Sequence, residues 1–184
     1  MQMPEPDQQI IARRDTICAA LQHLVPNASV VSSAEGRRAY DAVGLSAYRQ
    51  LPLAVVLPET VKEIAAVMKY CHREGIKVVP RGSGTSLSGG ALPLADAVLV
   101  GLGKFNRILD VDYANRCVVA QPGVTNLAIT HAVQADGFYY APDPSSQIAC
   151  SVGGNVAENS GGVHCLKYGL TCLLYTSPSP RDRG

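Results

Sequence analysis

Apolar and polar positions along the chain alternate in patterns that predict a mixed succession of helices and strands. Ile10, Ile11, Ile17, Leu21, Leu24 and Val25 recur on roughly one helical face, so residues 8–25 read as a helix. Asp7 is placed to cap it and Pro26 to end it. Polar, turn-rich sequence follows from Asn27 to Gln50. Leu53 to Leu57 is a continuous apolar run closed by Pro58, the pattern of a buried strand. Thr60 and Glu63 have capping-box spacing, and Val61, Ile64, Ala65, Met68 and Cys71 fall on one face of the helix behind them. Gly75 stops that helix and Ile76 to Val79 forms the next strand, which predicts a βαβ unit with parallel neighbours. Ala97 to Leu102, Ile108 to Val111 and Cys117 to Ala120 read as strands. Thr125 caps a helix through Ala135 that ends at Asp136 and Gly137. From Tyr140 to Gly169 periodicity nearly vanishes while Gly, Pro, Ser and Asn concentrate. There is no repeat and no heptad, and the class is α+β.

Composition narrows the function classes. The chain has 184 residues, of which 47% are hydrophobic and 17% charged, enough for a packed core and inconsistent with wholesale disorder. Lys+Arg 16 against Asp+Glu 15 leaves +1, with no basic stripe; Trp is absent and Phe numbers two, which argues against nucleic acid as a partner. The most apolar stretch, Ala91 to Leu102, is too short to span a bilayer and holds Pro93 and Asp96, so no transmembrane segment is expected. The N-terminus has no signal-peptide pattern. Cys18, Cys71, Cys117, Cys150, Cys165 and Cys172 form no CxxC pair, which fits buried thiols in a reducing compartment and no metal site. A cytoplasmic location is expected.

The C-terminal segment stands apart. Cys172 to Asp182 (CLLYTSPSPRD) is Pro/Ser-rich, lacks any core period, and matches the one-frame translation of a common sequencing-library transposon adapter. Residues 172–184 are therefore expected to be a non-native tail and excluded from fold reasoning. Setting aside Arg181, Arg183 and Asp182 takes the basic count from 16 to 14 and the acidic count from 15 to 14, a neutral remainder.

Two glycine-rich stretches carry the candidate chemistry. The first, Pro80 to Gly90 (PRGSGTSLSGG), directly follows a predicted strand. Gly82, Gly84, Gly89 and Gly90 permit close backbone approach, and Ser83, Thr85, Ser86 and Ser88 add hydroxyls. Successive N–H groups in such a turn form an anion nest, each charge-assisted bond contributing about 1.5–3 kcal/mol. Leu87 stands where the third glycine of a dinucleotide fingerprint would be, and no amphipathic helix follows, so that fingerprint is rejected; a Walker A loop is absent as well. The second stretch is Pro142 to Ser146 (PDPSS) followed by Gly153 to Gly162 (GGNVAENSGG), an unusually long loop that points to function.

These residues carry a resemblance. Pro80 to Gly90, Ala141 to Gln147 (APDPSSQ) and Gly153 to Gly169 (GGNVAENSGGVHCLKYG) resemble the FAD-binding domain of the vanillyl-alcohol oxidase/p-cresol methylhydroxylase (PCMH) superfamily. Within it the likeness is to the branch of glycolate oxidase FAD-linked subunits and D-lactate dehydrogenases, over about Tyr40 to Thr171. The resemblance implies that Arg81, Gly82, Ser83, Gly84, Thr85 and Ser86 wrap the FAD pyrophosphate, with Gly89 and Gly90 closing the loop. Pro142, Asp143, Pro144, Ser145 and Ser146 would pass the ribityl and phosphate region. Gly153, Gly154, Asn155, Ser160, Gly161 and Gly162 would line the flavin side. Covalent members can carry a His in the first loop; this chain has none there, so non-covalent FAD is implied.

The family's fold has two α+β subdomains and a substrate domain. The resemblance therefore implies an incomplete PCMH-type domain: an N-terminal helix and linker (1–39), then the βαβ-containing first subdomain and the start of the second (40–171). Catalytic residues and metal ligands are expected beyond residue 171. The implied activity is FAD-dependent dehydrogenation of a small 2-hydroxy acid, glycolate or D-lactate, with electrons passed to a second flavin-like subunit and an iron–sulfur subunit. The complex would touch the inner membrane only through those partners. The alternatives are the same flavoenzyme acting on D-2-hydroxyglutarate, and a truncated chain with no catalysis of its own. Among single residues, His164 and Lys167 lie near the proposed cofactor, with loop or surface roles as the plainer reading. His131 reads as solvated or capping, Asp143 as a turn residue, Cys150 and Cys165 as unactivated thiols. Asp110, Asp112 and His23 have no partner that makes a metal site.

Overall fold

The computed structural model describes residues 3–26 and 29–174. The chain forms two compact units, Met1–Phe105 and Asn106–Gly184. In the first, α1 (Gln8–Ala12), α2 (Arg14–Leu24), β1 (Val30–Val31), α3 (Ala34–Arg38), β2 (Ala54–Val56), α4 (Val61–Arg73), β3 (Lys77–Arg81) and β4 (Ala97–Gly101) follow in order. The four strands make one sheet in the order β1-β2-β4-β3. β4 runs parallel to β2 and to β3, whereas β1 is antiparallel to β2. The expected βαβ unit, β2-α4-β3, is present, but its strands are not neighbours: β4 lies between them. Five consecutive small or branched apolar residues, AVLVG, suit that central place because a strand buried on both faces needs no polar alternation.

The segment 1–39, expected to be helix and linker, supplies part of this unit's core. Ile10, Ile17, Cys18, Leu21, Val25 and Val30 pack in one cluster with Leu53, Ala54, Val56, Val67, Cys71, Ile76, Val98 and Val100. The single helix expected over residues 8–25 is two helices. Asp7 does cap the first, its carboxylate accepting from Gln9 and Ile10, but the backbone breaks at Arg13. Arg13 then reaches Glu74 at 2.5 Å, while Arg14 donates to the carbonyls of Leu53 and Ser32. The turn-rich span 27–50 likewise contains β1 and α3, both too short for periodicity to register.

α4 begins at the anticipated capping box, Thr60 and Glu63 exchanging side-chain and backbone bonds. Its buried stripe differs from the expected one. Val67 and Cys71 are buried, with Ile64 and Tyr70 half-buried, while Val61 is 74% and Met68 46% exposed. The helix carries two overlapping apolar stripes, and the core selects the one through Val67 and Tyr70. Gly75 leaves the helix at φ +68°, as a glycine C-terminal stop requires.

The second unit starts with an antiparallel hairpin of β5 (Ile108–Asp112) and β6 (Cys117–Ala120). At its turn Asp112 accepts from the Asn115 backbone and side chain. Thr125 caps α5 (Asn126–Val133) through Ala128 N–H, and a 3-10 turn (Gln134–Asp136) ends at Gly137 with φ +79°. The region read as a long irregular loop contains α6 (Val152–Glu158) and α7 (Cys165–Tyr168). The sequence GGNVAE has poor helix propensity, but two backbone bonds fix its start: Val152 N–H to Val124 O and Gly153 N–H to Pro122 O, both 2.8 Å. Asn159, left-handed at φ 54°, ends it. Of the segment 172–184, only Cys172, Leu173 and Leu174 lie within the described residues. Among the described residues no helix is long and apolar enough to cross a membrane.

Asp96, buried at the entry to β4, ties the N-terminus to the sheet. It accepts from Asp7 N–H at 2.9 Å and from the half-exposed Lys77 ammonium at 2.7 Å. Burial alone would push its carboxyl up, but the Lys77 and Asp7 bonds outweigh burial and hold it below the ordinary value. A group depressed on folding stabilises above its unfolded pKa of about 3.9, and that contribution is lost as pH falls through the folded value. Asp96→Asn is expected to cost about 1–3 kcal/mol at pH 7. The gap between variant and wild type should close below about pH 4, as read by urea denaturation across pH; a gap constant down to pH 2 contradicts this account.

Candidate functional site

The first candidate, in the first unit, is the loop that leaves the end of β3. Leu102 N–H bonds Arg81 O at 2.8 Å, which fixes the last strand residue before the chain turns away. Gly84 has φ +72° and Gly89 φ +82°, values that favour glycine. Among the described residues, no hydrogen bond engages the backbone N–H groups of Gly82, Ser83, Gly84, Thr85 or Ser86. Ser83 and Thr85 are exposed, and the Ser86 and Ser88 hydroxyls pair at 2.8 Å. Gly90 has open space where a side chain would project. A short run of unclaimed N–H donors on a glycine backbone is a receptor for phosphate oxygens.

Arg81 does not fill the place expected of it. Rather than offering its charge at the loop, Arg81 is 9% exposed and its guanidinium donates to Tyr40 O at 2.8 Å and to Ala42 O. It lies directly beneath Gly84, where an added Cβ would come within 2.5 Å of it. Burial lowers its pKa, partly offset by Tyr40 and Asp41. Two carbonyls are satisfied by one planar fork, so Arg81 is a strut under the loop. Gly44 completes the backing: its N–H bonds Gly84 O at 2.8 Å, and a Cβ there would be 2.6 Å from Thr85 O. Tyr40, Ala42 and Gly44 lay in the turn-rich segment that had no recognisable pattern.

The second candidate, in the second unit, is organised around Asn126, which sequence reasoning missed. This residue is 1% exposed. Its amide donates to Pro142 O at 2.8 Å, and its oxygen accepts from Asn155 and, at 3.5 Å, from the Cys150 thiol. One buried amide thereby joins α5, the PDPSS turn and α6. Asn155, expected to face a cofactor, turns its amide inward to Asn126 instead. In the turn, Pro144 O accepts from Gln147 N–H, and Ser146 O from Ala149 and Cys150 N–H, which leaves Ser145 exposed.

The glycines here are packing sites. A Cβ on Gly153 would lie 2.7 Å from Pro122, and one on Gly161 would meet Cys165 and Leu170, both at 2.5 Å. On Gly162 it would be 2.1 Å from Asp143 O. Gly154 meets only Ser151 Oγ, at 3.3 Å. Ser160 O accepts the Thr171 N–H and hydroxyl. Ser151 Oγ, at the head of α6, is buried with no hydrogen-bond partner. A native interior rarely leaves such a hydroxyl unmatched, so a ligand heteroatom is the fitting complement.

Asp143 and His164 come together, and Lys167 meets Tyr168 beside them. Asp143 accepts from His164 N–H at 3.2 Å and lies 2.7 Å from its Nδ1. Tyr139 donates to the Tyr168 hydroxyl at 2.8 Å, and Lys167 Nζ stands 4.9 Å over the Tyr168 ring. The Tyr139 bond, then Lys167, lowers the Tyr168 phenol, while Tyr139 is raised. Among the described residues no group of three or more His, Cys, Asp or Glu could hold a metal ion. An open cleft of about 80 Å³, lined by Val111, Tyr113, Val118, Ile129, Phe138 and Tyr139 among others, lies beside the hairpin and shares Tyr139 with this cluster.

A family profile described as "FAD binding domain" matches residues 52–177, which include both glycine-rich stretches. The chain belongs to the FAD-binding domain family. In the first unit, the open N–H row after β3 suits the phosphates of such a ligand. Glycolate oxidase subunit GlcD of Escherichia coli K12 is 54% identical over 158 residues, 86% of this chain and 32% of that protein. D-2-hydroxyglutarate dehydrogenase of Xanthomonas citri pv. viticola is 36% identical over 120 residues, 65% of this chain and 25% of that protein. This FAD-binding chain thus spans about a third or less of the curated relatives it matches. p-Cresol methylhydroxylase has the same fold: TM-score 0.69 at 19% identity over 86% of this chain and 31% of that one. The expected FAD-binding domain and the α+β class both hold, and the fold is the one p-cresol methylhydroxylase has.

Two variants separate the strut from the loop. Arg81→Lys should lower stability by about 1–3 kcal/mol, because the Tyr40 and Ala42 carbonyls lose a two-pronged donor. Gly84→Ala should cost about 1–2 kcal/mol from the left-handed backbone alone, and displace the guanidinium as well. Chemical denaturation measures both; wild-type stability in either would show that the buried fork is not needed.

Proposed function

We propose that this chain is the FAD-holding part of an FAD-dependent 2-hydroxy-acid dehydrogenase acting on glycolate or D-lactate. The observation that carries the reading is the row of unclaimed N–H groups from Gly82 to Ser86, braced by Arg81 and Gly44. These donors bind the FAD diphosphate, Ser83 and Thr85 adding hydroxyls, while Gly89 and Gly90 let the chain close without side chains. In the second unit the PDPSS turn and the Gly161–Gly162 segment offer further backbone groups for a cofactor, with Asn126 holding turn and helix in register. When bound, FAD supplies the hydride acceptor. Binding is non-covalent, since Pro80 to Gly90 contains no His to form a flavin link.

In the same proposal the base that takes the substrate's hydroxyl proton lies beyond residue 171, and the chain alone does not turn over. The protein works in the cytoplasm and passes electrons to a second flavin-like subunit and an iron–sulfur subunit. It reaches the inner membrane only through them. The name "subunit" borne by the E. coli relative supports an assembly. The 36% identical Xanthomonas citri pv. viticola relative favours D-2-hydroxyglutarate as the second substrate reading.

The test is FAD titration of the purified 184-residue chain, followed by gel filtration and acid precipitation. A flavin absorption band should travel with the protein and appear wholly in the acid supernatant. No retained flavin would refute the FAD-holding role, and flavin in the acid pellet would refute the non-covalent one. Gly84→Ala should weaken uptake by about tenfold, equivalent to one lost charge-assisted bond.

A further inference from the structure

Asp143 and His164 are bonded twice. One carboxylate oxygen accepts the His164 backbone N–H at 3.2 Å, and the other lies 2.7 Å from Nδ1. The carboxylate is 12% exposed and the imidazole 48%. The approach depends on Gly162, whose missing side chain leaves room for the Asp143 backbone. Cys165 steadies the same turn: its thiol donates to Gly162 O at 2.7 Å and lies 3.0 Å from Gly162 N. The Tyr139 and Tyr168 rings flank the imidazole, with centroids at 5.8 and 6.4 Å. Lys167, over Tyr168, is the nearby cation. Among the described residues, Nε2 has no partner.

A carboxylate against Nδ1 selects the ring form that carries its proton there, because the bond made by one ring nitrogen sets the state of the other. The free nitrogen is then a lone pair aimed outward. We propose that Asp143 locks His164 in the Nδ1–H form, so that Nε2 accepts a hydrogen bond from a ligand N–H or O–H at this face. Asp143 is the positioning residue and His164 the ligand contact. The inference rests on the FAD-holding reading above, which offers two sources of that donor: the imide N–H of the isoalloxazine ring and the hydroxyl of the 2-hydroxy acid. A purely bracing role would use only the two bonds to Asp143 and would be indifferent to Nε2.

Nitrogen-15 NMR of the 184-residue chain without flavin tests the lock. In its neutral form the His164 ring should carry its proton on Nδ1 and leave Nε2 bare, and Asp143→Ala should abolish that preference. His164→Asn tests the acceptor, since it keeps an N–H donor towards Asp143 and removes Nε2. It should weaken FAD binding about tenfold if the donor is the imide. If the donor is the hydroxyl, FAD binding stays and the glycolate concentration that perturbs the flavin spectrum rises about tenfold instead. Wild-type values for both overturn the acceptor role. A neutral ring with its proton on Nε2 in the unaltered chain overturns the lock whatever binds. Failure of the unaltered chain to take up FAD refutes the FAD-holding reading, while an Nδ1–H ring in that chain still supports the lock.

Discussion

The double burial of β4 is the constraint on which the first unit depends. Ala97 to Gly101 is hydrogen-bonded on both edges and buried on both faces. Each fully buried branched side chain in it contributes about 1.5–3 kcal/mol, and its position between β2 and β3 forces the α4 crossover to span two strand widths. Register follows: Arg81 pairs with Gly101, so β3 must end there, and the glycine loop begins at a fixed point at the strand's carboxyl end. A loop held at such a point can leave its own N–H groups unpaired because the strand, not the loop, supplies its stability.

That economy has a condition. An open loop collapses unless something beneath it is rigid, and here the support is a buried cation. The Arg81 guanidinium takes two carbonyls of the 40–42 segment and occupies the space that Gly84 leaves. In the second unit a neutral amide does comparable work. Asn126 joins three segments at one buried point, so the turn before α6 and the helix itself move together. Both units build their candidate surfaces from glycine-rich backbone, and each stiffens it with one buried polar side chain whose bonds all go inward.

Much was legible before the fold was known. The Thr60–Glu63 capping box, the Thr125 cap, the Gly75 and Gly137 stops and the strands after Pro52, Glu74 and Leu94 are local signals, and the chain obeys them. So is the loop after β3, because glycines spaced among hydroxyls have few other uses. The failures share a cause. α6 was invisible because GGNVAE has no helical stripe; bonds from Pro122 and Val124, some thirty positions earlier, impose it. Val61 and Met68 were assigned to the wrong side of α4 because two stripes satisfy the same period, and only the core distinguishes them. The resemblance puts Arg81 at the pyrophosphate, and nothing in the sequence shows that the Tyr40 and Ala42 carbonyls claim its guanidinium.

The amino-acid sequence by itself determined the strands β2 to β6, the capped helices α4 and α5, and the two glycine-rich stretches within the FAD-binding domain match. These depend on side chains within four residues of one another or on backbone freedom at a single position. The tertiary structure alone decided the placing of β4 between β2 and β3, the inward duties of Arg81, Asn126 and Asn155, and the pairing of Asp143 with His164. Each of those joins residues far apart along the chain, and burial fixes the geometry: a buried polar group left unpaired is costly, so Arg81, Asn126 and Asn155 turn to the partners that only the folded chain brings near.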